Sequence, residues 1–231
     1  MTGRMIEFDA NRATAPGYLA TPDGTDATNA PGVVVLHAWW GLTEPFRQAC
    51  DWLAEAGFVA LAPDLYRGKT TALVEEAETL SSALNQEEER VRGDIRGAMR
   101  FLREHGATSP AVGLVGFSMG GAYALDTSVA LPEEVAAVVL FYATYTGLDF
   151  AAARAAYLGH FAENDPFEPP ELVAELEREL HAAGKQTTFY SYPGTTHWFY
   201  EPNRADAYDA AAAALAWDRT LAFLNAELRR S

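Results

Sequence analysis

Apolar residues in this chain fall into two kinds of pattern. Some form short unbroken runs, and others recur every three or four positions between those runs. Val33-Val34-Val35-Leu36 and the runs over 58–62, 111–115 and 135–141 have strand length and no polar alternation. Strands buried on both faces of a sheet read this way. Weaker runs predict further strands over 155–161 and 186–190, and short ones over 5–8 and 17–20 at an antiparallel start. A polar stretch rich in Pro and Gly over 21–32 reads as a turn. The helical period appears over 45–56, and again over 71–105 as two helices. Leu73, Ala77, Leu80 and Leu84 mark one stripe of that pair, and Val91, Ile95, Ala98, Met99 and Leu102 mark the other. It returns over 169–183, with Leu172, Leu176 and Leu180 on one face, and in an alanine-rich stretch over 205–229. Strands alternating with helices predict an α/β fold with a mostly parallel central sheet of about seven or eight strands, covered by helices on both faces. No repeat or linker divides it, so residues 1–231 read as a single domain.

In such a sheet, functional groups collect in the loops at the carboxyl ends of the strands. One of those loops stands out. The run over 111–115 leads into Gly116-Phe117-Ser118-Met119-Gly120-Gly121, and a helix-compatible segment follows at once. Strand, sharp turn and helix around Gly-x-Ser-x-Gly is the signature of a nucleophile elbow. A serine hydroxyl is inert near neutral pH unless a base removes its proton, so a histidine is needed.

The chain has five histidines. His105 and His181 fall near helix C-terminal ends, where a cation offsets the helix dipole. His160 sits within or at the end of a strand, a structural position. His37 precedes a loop that it is placed to support. His197 lies in the loop after the last strand, where the base of this arrangement belongs. A carboxylate must then orient the imidazole. Asp165 is the leading candidate, with Glu163 its nearest rival and Asp149 a distant third. The chain order Ser118, Asp165, His197 is nucleophile, acid, base. Two backbone amides are expected to hold the oxyanion, that of Met119 and that of Trp39 in the loop after residue 36.

Length, charge and cysteine usage narrow the class. With 17 basic and 32 acidic residues, the 231-residue chain has a net charge of −15, which argues against nucleic acid and anionic membrane surfaces as partners. The single cysteine, Cys50, cannot form an internal disulfide, and no apolar stretch approaches the ~20 residues of a membrane span. A cytoplasmic enzyme of acyl transfer without cofactor or metal is the expectation, as a monomer or homodimer acting on a small molecule. An acyltransferase, a peptidase or a ligand-binding protein on the same scaffold stays open as the alternative. The substrate-pocket candidates are the aromatics Trp40, Tyr66, Tyr142, Tyr145, Trp198 and Phe199, alongside Trp39, with Arg67 and Arg204 as rim cations.

Taken together, several motifs resemble the dienelactone hydrolase family of α/β-hydrolases over almost the full length. They are Leu36-His37-Ala38-Trp39-Trp40-Gly41-Leu42, Ala62-Pro63-Asp64-Leu65-Tyr66, the elbow, and Phe141-Tyr142. The run continues with Gly159-His160-Phe161-Ala162-Glu163-Asn164-Asp165 and Tyr192-Pro193-Gly194 before His197 and Phe199. The resemblance implies the same triad, Ser118, Asp165 and His197, acting on a small carboxylic ester or lactone. It also exposes departures. The best-known members carry cysteine at the elbow, where this chain has Ser118, and a glutamate where it has Ala38. Members that take dienelactone hold its carboxylate with arginines, one of them four residues after the histidine, where this chain has Glu201. The two departures at Ser118 and Ala38 fit each other, because a serine passes its proton straight to histidine and needs no switching carboxylate.

Overall fold

In the computed structural model, residues 3–10, 13–22, 30–105 and 111–229 are described. The chain forms two compact units, Met1–Val112 and Gly113–Ser231.

The first unit holds β1 (Arg4–Asp9), β2 (Thr14–Ala20), β3 (Gly32–Leu36), α1 (Glu44–Glu55), β4 (Val59–Pro63), α2 (Val74–Asn85) and α3 (Glu88–Glu104). Its strands lie in the order β1-β2-β4-β3. β1 and β2 pair antiparallel, as do β2 and β4, whereas β3 and β4 run parallel. All five residues of β3 and of β4 are buried, as unbroken apolar runs require. The expected turn over 21–32 falls largely outside the described residues, since 23–29 are not among them. α3 buries the whole predicted stripe of Val91, Ile95, Ala98, Met99 and Leu102. α2 buries only Ala77 and Leu84 of its stripe, and Leu73 stands 61% exposed just ahead of the helix.

The second unit holds β5 (Val112–Phe117), α4 (Met119–Ala130), β6 (Val135–Phe141), β7 (Ala156–Asn164), α5 (Pro170–Ala182), β8 (Thr187–Thr196) and α6 (Ala210–Leu228). Its strand order is β5-β6-β7-β8, with β6, β7 and β8 parallel. Two boundaries differ most from the sequence pattern. β8 runs on through Pro193 and Gly194 to Thr196, which is tolerated because it lies at the end of the strand order, where proline's missing N–H breaks no ladder. α6 begins at Ala210, not near residue 205. Residues 201–208 are wound into turns instead, with the Arg204 amide on the Glu201 carbonyl (2.8 Å) and the Ala207 amide on the Arg204 carbonyl (2.9 Å). Asp209 then caps α6, its side chain accepting from the Ala212 amide.

Candidate functional site

The second unit brings the three predicted catalytic side chains together, and its strand ends account for how. β5 stops at Phe117 and α4 starts at Met119, so the whole reversal falls on Ser118. Its φ of 48° lies in the left-handed region, which is costly for a residue with a side chain. Gly116 makes the bend possible. A Cβ there would stand 2.5 Å from both the Gly120 carbonyl oxygen and the Gly121 Cα, so only hydrogen fits. The Ser118 amide is tied to the Phe141 carbonyl at the end of β6 (2.9 Å).

Asp165 and His197 come from adjacent parallel strands. β7 ends at Asn164 and β8 at Thr196, and those two residues are opposite one another in the register, after an irregularity between Ala162 and Asn164. The next residue on each strand is the acid and the base. The His197 Nδ1–H donates to Asp165 Oδ2 at 2.7 Å, and the Ser118 hydroxyl donates to His197 Nε2 at 3.0 Å. The other oxygen of Asp165 accepts from the Phe167 and Glu168 amides (2.9 and 3.1 Å), which locks the carboxylate in the tight loop it begins. Asp165 and His197 are buried, while Ser118 keeps partial exposure. The rival Glu163 is exposed and accepts from the Gly194 amide (2.8 Å). Asp149 caps a short 3-10 turn, Phe150–Ala152.

The remaining histidines have structural partners. His160, fully buried in β7, shares its ring nitrogens between the Tyr192 hydroxyl (2.9 Å) and Thr220 Oγ1 (3.0 Å). Burial, aided by the Arg219 charge, pushes its pKa down to about 3, so the ring stays neutral. In the first unit, His37 Nδ1–H donates to the Ala38 carbonyl (2.8 Å) and Nε2 accepts from the Leu65 amide (3.2 Å). It therefore ties the loop after β3 to the loop after β4. Burial holds this ring neutral as well. His105 donates to the Phe101 carbonyl at the end of α3, and His181 sits in the last turn of α5.

The substrate-pocket candidates separate into groups. Trp40, Tyr66, Tyr142 and Phe199 are buried, so they pack beneath their loops and form no exposed rim. Tyr145 is exposed, and Trp39 and Trp198 are partly so. Arg67 is not available as a rim cation, because its guanidinium is held by Asp94 (2.7 Å) and the Thr14 carbonyl (3.1 Å). Arg204 lies over the Trp198 ring at 4.6 Å and pairs with Asp206 at 2.9 Å. One contact escaped the sequence reading. Phe167, half exposed, sets its ring 4.9 Å from the His197 ring and 5.3 Å from that of Trp198. Its position two residues after the acid was the only hint in the sequence.

Glu201, flagged in the sequence by contrast with arginine, is wholly buried. It accepts from the Tyr142 hydroxyl through Oε1 (2.8 Å), while Oε2 has no hydrogen-bond partner among the described residues. Burial pushes this carboxyl up to about 8, against the opposing pull of the Tyr142 hydrogen bond and Arg204.

A strained serine at the start of a helix, hydrogen-bonded to a histidine that a buried carboxylate orients, is the arrangement that activates a hydroxyl for attack on a carbonyl. Comparison with known proteins agrees in family. Protein usf of Aquifex pyrophilus is 33% identical over 230 residues, covering 96% of this chain and 98% of that protein. A carboxymethylenebutenolidase of Pseudomonas putida is 31% identical, covering 84% and 85%. Among solved structures, a dienelactone hydrolase-like promiscuous phosphotriesterase from metagenomic libraries superposes with a TM-score of 0.87 at 20% identity, covering 98% of each chain, which shows the fold. A sequence model of the dienelactone hydrolase family matches residues 15–228, and the chain belongs to that family, hydrolases of carboxylic esters and lactones with an α/β-hydrolase fold.

Proposed function

We propose that this chain is a serine hydrolase that opens a small carboxylic ester or lactone through an acyl-enzyme. The observation that carries the reading is the unbroken hydrogen-bond line from Ser118 Oγ through His197 to Asp165 Oδ2, at 3.0 and 2.7 Å. In the first step Ser118 Oγ attacks the carbonyl carbon while its proton moves to His197 Nε2. Asp165 keeps the Nδ1–H fixed and offsets the imidazolium charge. The negative charge on the carbonyl oxygen is met by the Met119 amide at the start of α4. Collapse expels the alkoxide, which takes the proton back from His197. With a lactone, that alcohol stays attached to the acyl group. Water, activated by the same histidine, then releases the acid and restores Ser118.

The substrate we assign is neutral at the end away from the scissile bond. Glu201 stands where carboxylate-binding relatives have arginine, and the Arg67 and Arg204 guanidinium groups are engaged by Asp94 and Asp206. Phe167, Trp198 and Tyr145 offer aromatic surface for an apolar acyl or alcohol group. We take the span matched by the family as one catalytic domain. The buried thiol of Cys50 fits a reducing compartment such as the cytoplasm.

The test is labelling with a fluorophosphonate probe, followed by turnover of aryl esters and lactones with and without a carboxylate. Wild type is expected to label and to prefer uncharged substrates, and Ser118→Ala to lose labelling and at least about 10³-fold in kcat. A Ser118→Ala variant that retained a tenth of the turnover would rule Ser118 out as the nucleophile.

A further inference from the structure

Four consecutive residues where β6 ends each meet a different part of the triad's support. The Phe141 carbonyl holds the Ser118 amide (2.9 Å). Tyr142 lays its ring 4.8 Å from that of His197 and donates its hydroxyl to Glu201 Oε1 at 2.8 Å. Ala143 fills the space that a side chain on Gly121, in the first turn of α4, would need. The Thr144 hydroxyl donates to the carboxylate of Glu168, whose own amide donates to Asp165 Oδ1 (3.1 Å). The nucleophile, the base and the acid are thus each braced against one short segment.

Ordinary core packing would not need two features found here. Tyr142 has a φ of 40°, a conformation that costs a bulky residue energy and persists only where its surroundings dictate it. Glu201 is an acid in a fully buried place, with one oxygen lacking a partner among the described residues, where an apolar side chain would be the cheaper filling. Its one hydrogen bond goes to the tyrosine that packs on His197. Burial raises the Glu201 carboxyl to about 8 and the Glu168 carboxyl to about 7, so near neutrality the frame does not bury two full negative charges beside Asp165.

We infer that residues 141–144 form the positioning frame of the triad, with Tyr142 and Glu201 as the positioning residues that fix the His197 ring against the Ser118 hydroxyl. The inference rests on the serine-hydrolase reading above. Glu201 acts through Tyr142, and Tyr142 acts through its ring and left-handed backbone. Neither exchanges a proton with the substrate.

The experiment measures kcat and KM for p-nitrophenyl acetate in Tyr142→Phe, Glu201→Leu, Glu201→Gln and the double variant Tyr142→Phe/Glu201→Leu, with Ser118→Ala as control. Tyr142→Phe and Glu201→Leu should each lower kcat about tenfold with KM within about twofold, since small misplacements of a catalytic group are felt in the chemical step. The double variant should be no worse than the poorer single one, because both remove the same link. Glu201→Gln keeps an acceptor for the Tyr142 hydroxyl and should recover most of the rate. Far-UV circular dichroism checks folding. Should Glu201→Leu fail to fold, Tyr142→Phe, which removes one oxygen atom, decides alone. Unchanged kcat in Tyr142→Phe, a loss confined to KM, or failure of Glu201→Gln to recover the rate would each overturn the frame while Ser118→Ala stays inactive. Activity in Ser118→Ala would instead remove the triad reading beneath it.

Discussion

The two oxygens of Asp165 have separate partners, and that division predicts what a single atom change would do. Oδ1 takes the Phe167 and Glu168 amides, which an asparagine carbonyl could also do. Asparagine would then turn its amide nitrogen towards His197, where Oδ2 now accepts at 2.7 Å. A donor facing Nδ1 forces the proton onto Nε2, the nitrogen that must take the Ser118 proton. Asp165→Asn should therefore fold normally and lose about 10⁴-fold in kcat, the size expected of a wrong tautomer. Glu163→Gln should lose almost nothing, because Glu163 is exposed and accepts from the Gly194 amide rather than from His197. Steady-state kinetics on one aryl ester compares the two, and equal losses would contradict the assignment of the acid. Phe167 belongs to the same scale. Cutting it to alanine removes an aromatic face from His197, and the expected mark is a raised KM for aryl esters.

Strand ends, more than any single loop, put these groups in place. Ser118, Asp165 and His197 each follow the last residue of a strand, and Asn164 opposite Thr196 makes acid and base neighbours. Gly116 is the tightest point of this construction. Gly116→Ala would drive a Cβ into the backbone of Gly120 and Gly121 at 2.5 Å, where no flexible side chain can yield. Stability should fall by at least roughly 1–3 kcal/mol, read as a lower urea midpoint, with activity lost even in the folded fraction. A variant as stable and active as wild type would mean the elbow can open without cost.

Much of this was legible in the sequence, because buried parallel strands are written as apolar runs and the elbow as glycines around a serine. The proposed triad was suggested by the elbow and by the loops after the last two strands, and its chain order agreed. What stayed hidden depends on packing between distant segments. The apolar run of β8 ends at Tyr190, and the strand continues through Pro193 and Gly194 because it lies at the end of the strand order. The late start of α6 reflects turns over 201–208 that alanine-rich periodicity does not reveal. Arg67 looked like a rim cation until Asp94, 27 positions away, was found to hold it. Glu201 could be marked as unusual, but its burial against Tyr142, 59 positions earlier, could not be read from a local pattern.

At the scale of the whole molecule, buried titratable groups tie stability to pH in opposing directions. His160 has a folded pKa pushed down to about 3, so between there and the ordinary histidine value of 6.5 the unfolded chain binds the extra proton, and stability rises with pH. Glu201 and Glu168 have folded values raised to about 8 and about 7, from an ordinary value of 4.5. Above 4.5 the folded chain binds the extra protons, so their contribution is complete below 4.5 and is lost as pH rises through the folded values. For these three groups the two trends offset one another between 4.5 and 6.5, and from 6.5 to about 8 the carboxyl trend remains.

Glu201→Gln removes one proton-binding group from that balance while keeping an acceptor for the Tyr142 hydroxyl. Wild type minus variant cancels the groups not coupled to Glu201, including His160, and the general self-repulsion of a chain carrying −15. The unfolding free energy of wild type relative to Glu201→Gln should therefore fall as pH rises from 4.5 to about 8 and level off beyond it. The slope can reach at most about 1.4 kcal/mol per pH unit. Urea unfolding at pH 5.5, 7 and 8.5 measures it. The variant should be the more stable protein at pH 8.5, where wild type must bury an ionised Glu201 with Oε2 unpartnered. A difference that does not change with pH would show that Glu201 ionises alike in the folded and unfolded chains. Its carboxyl would then be in reach of water, and the buried contact with Tyr142 would not persist in solution.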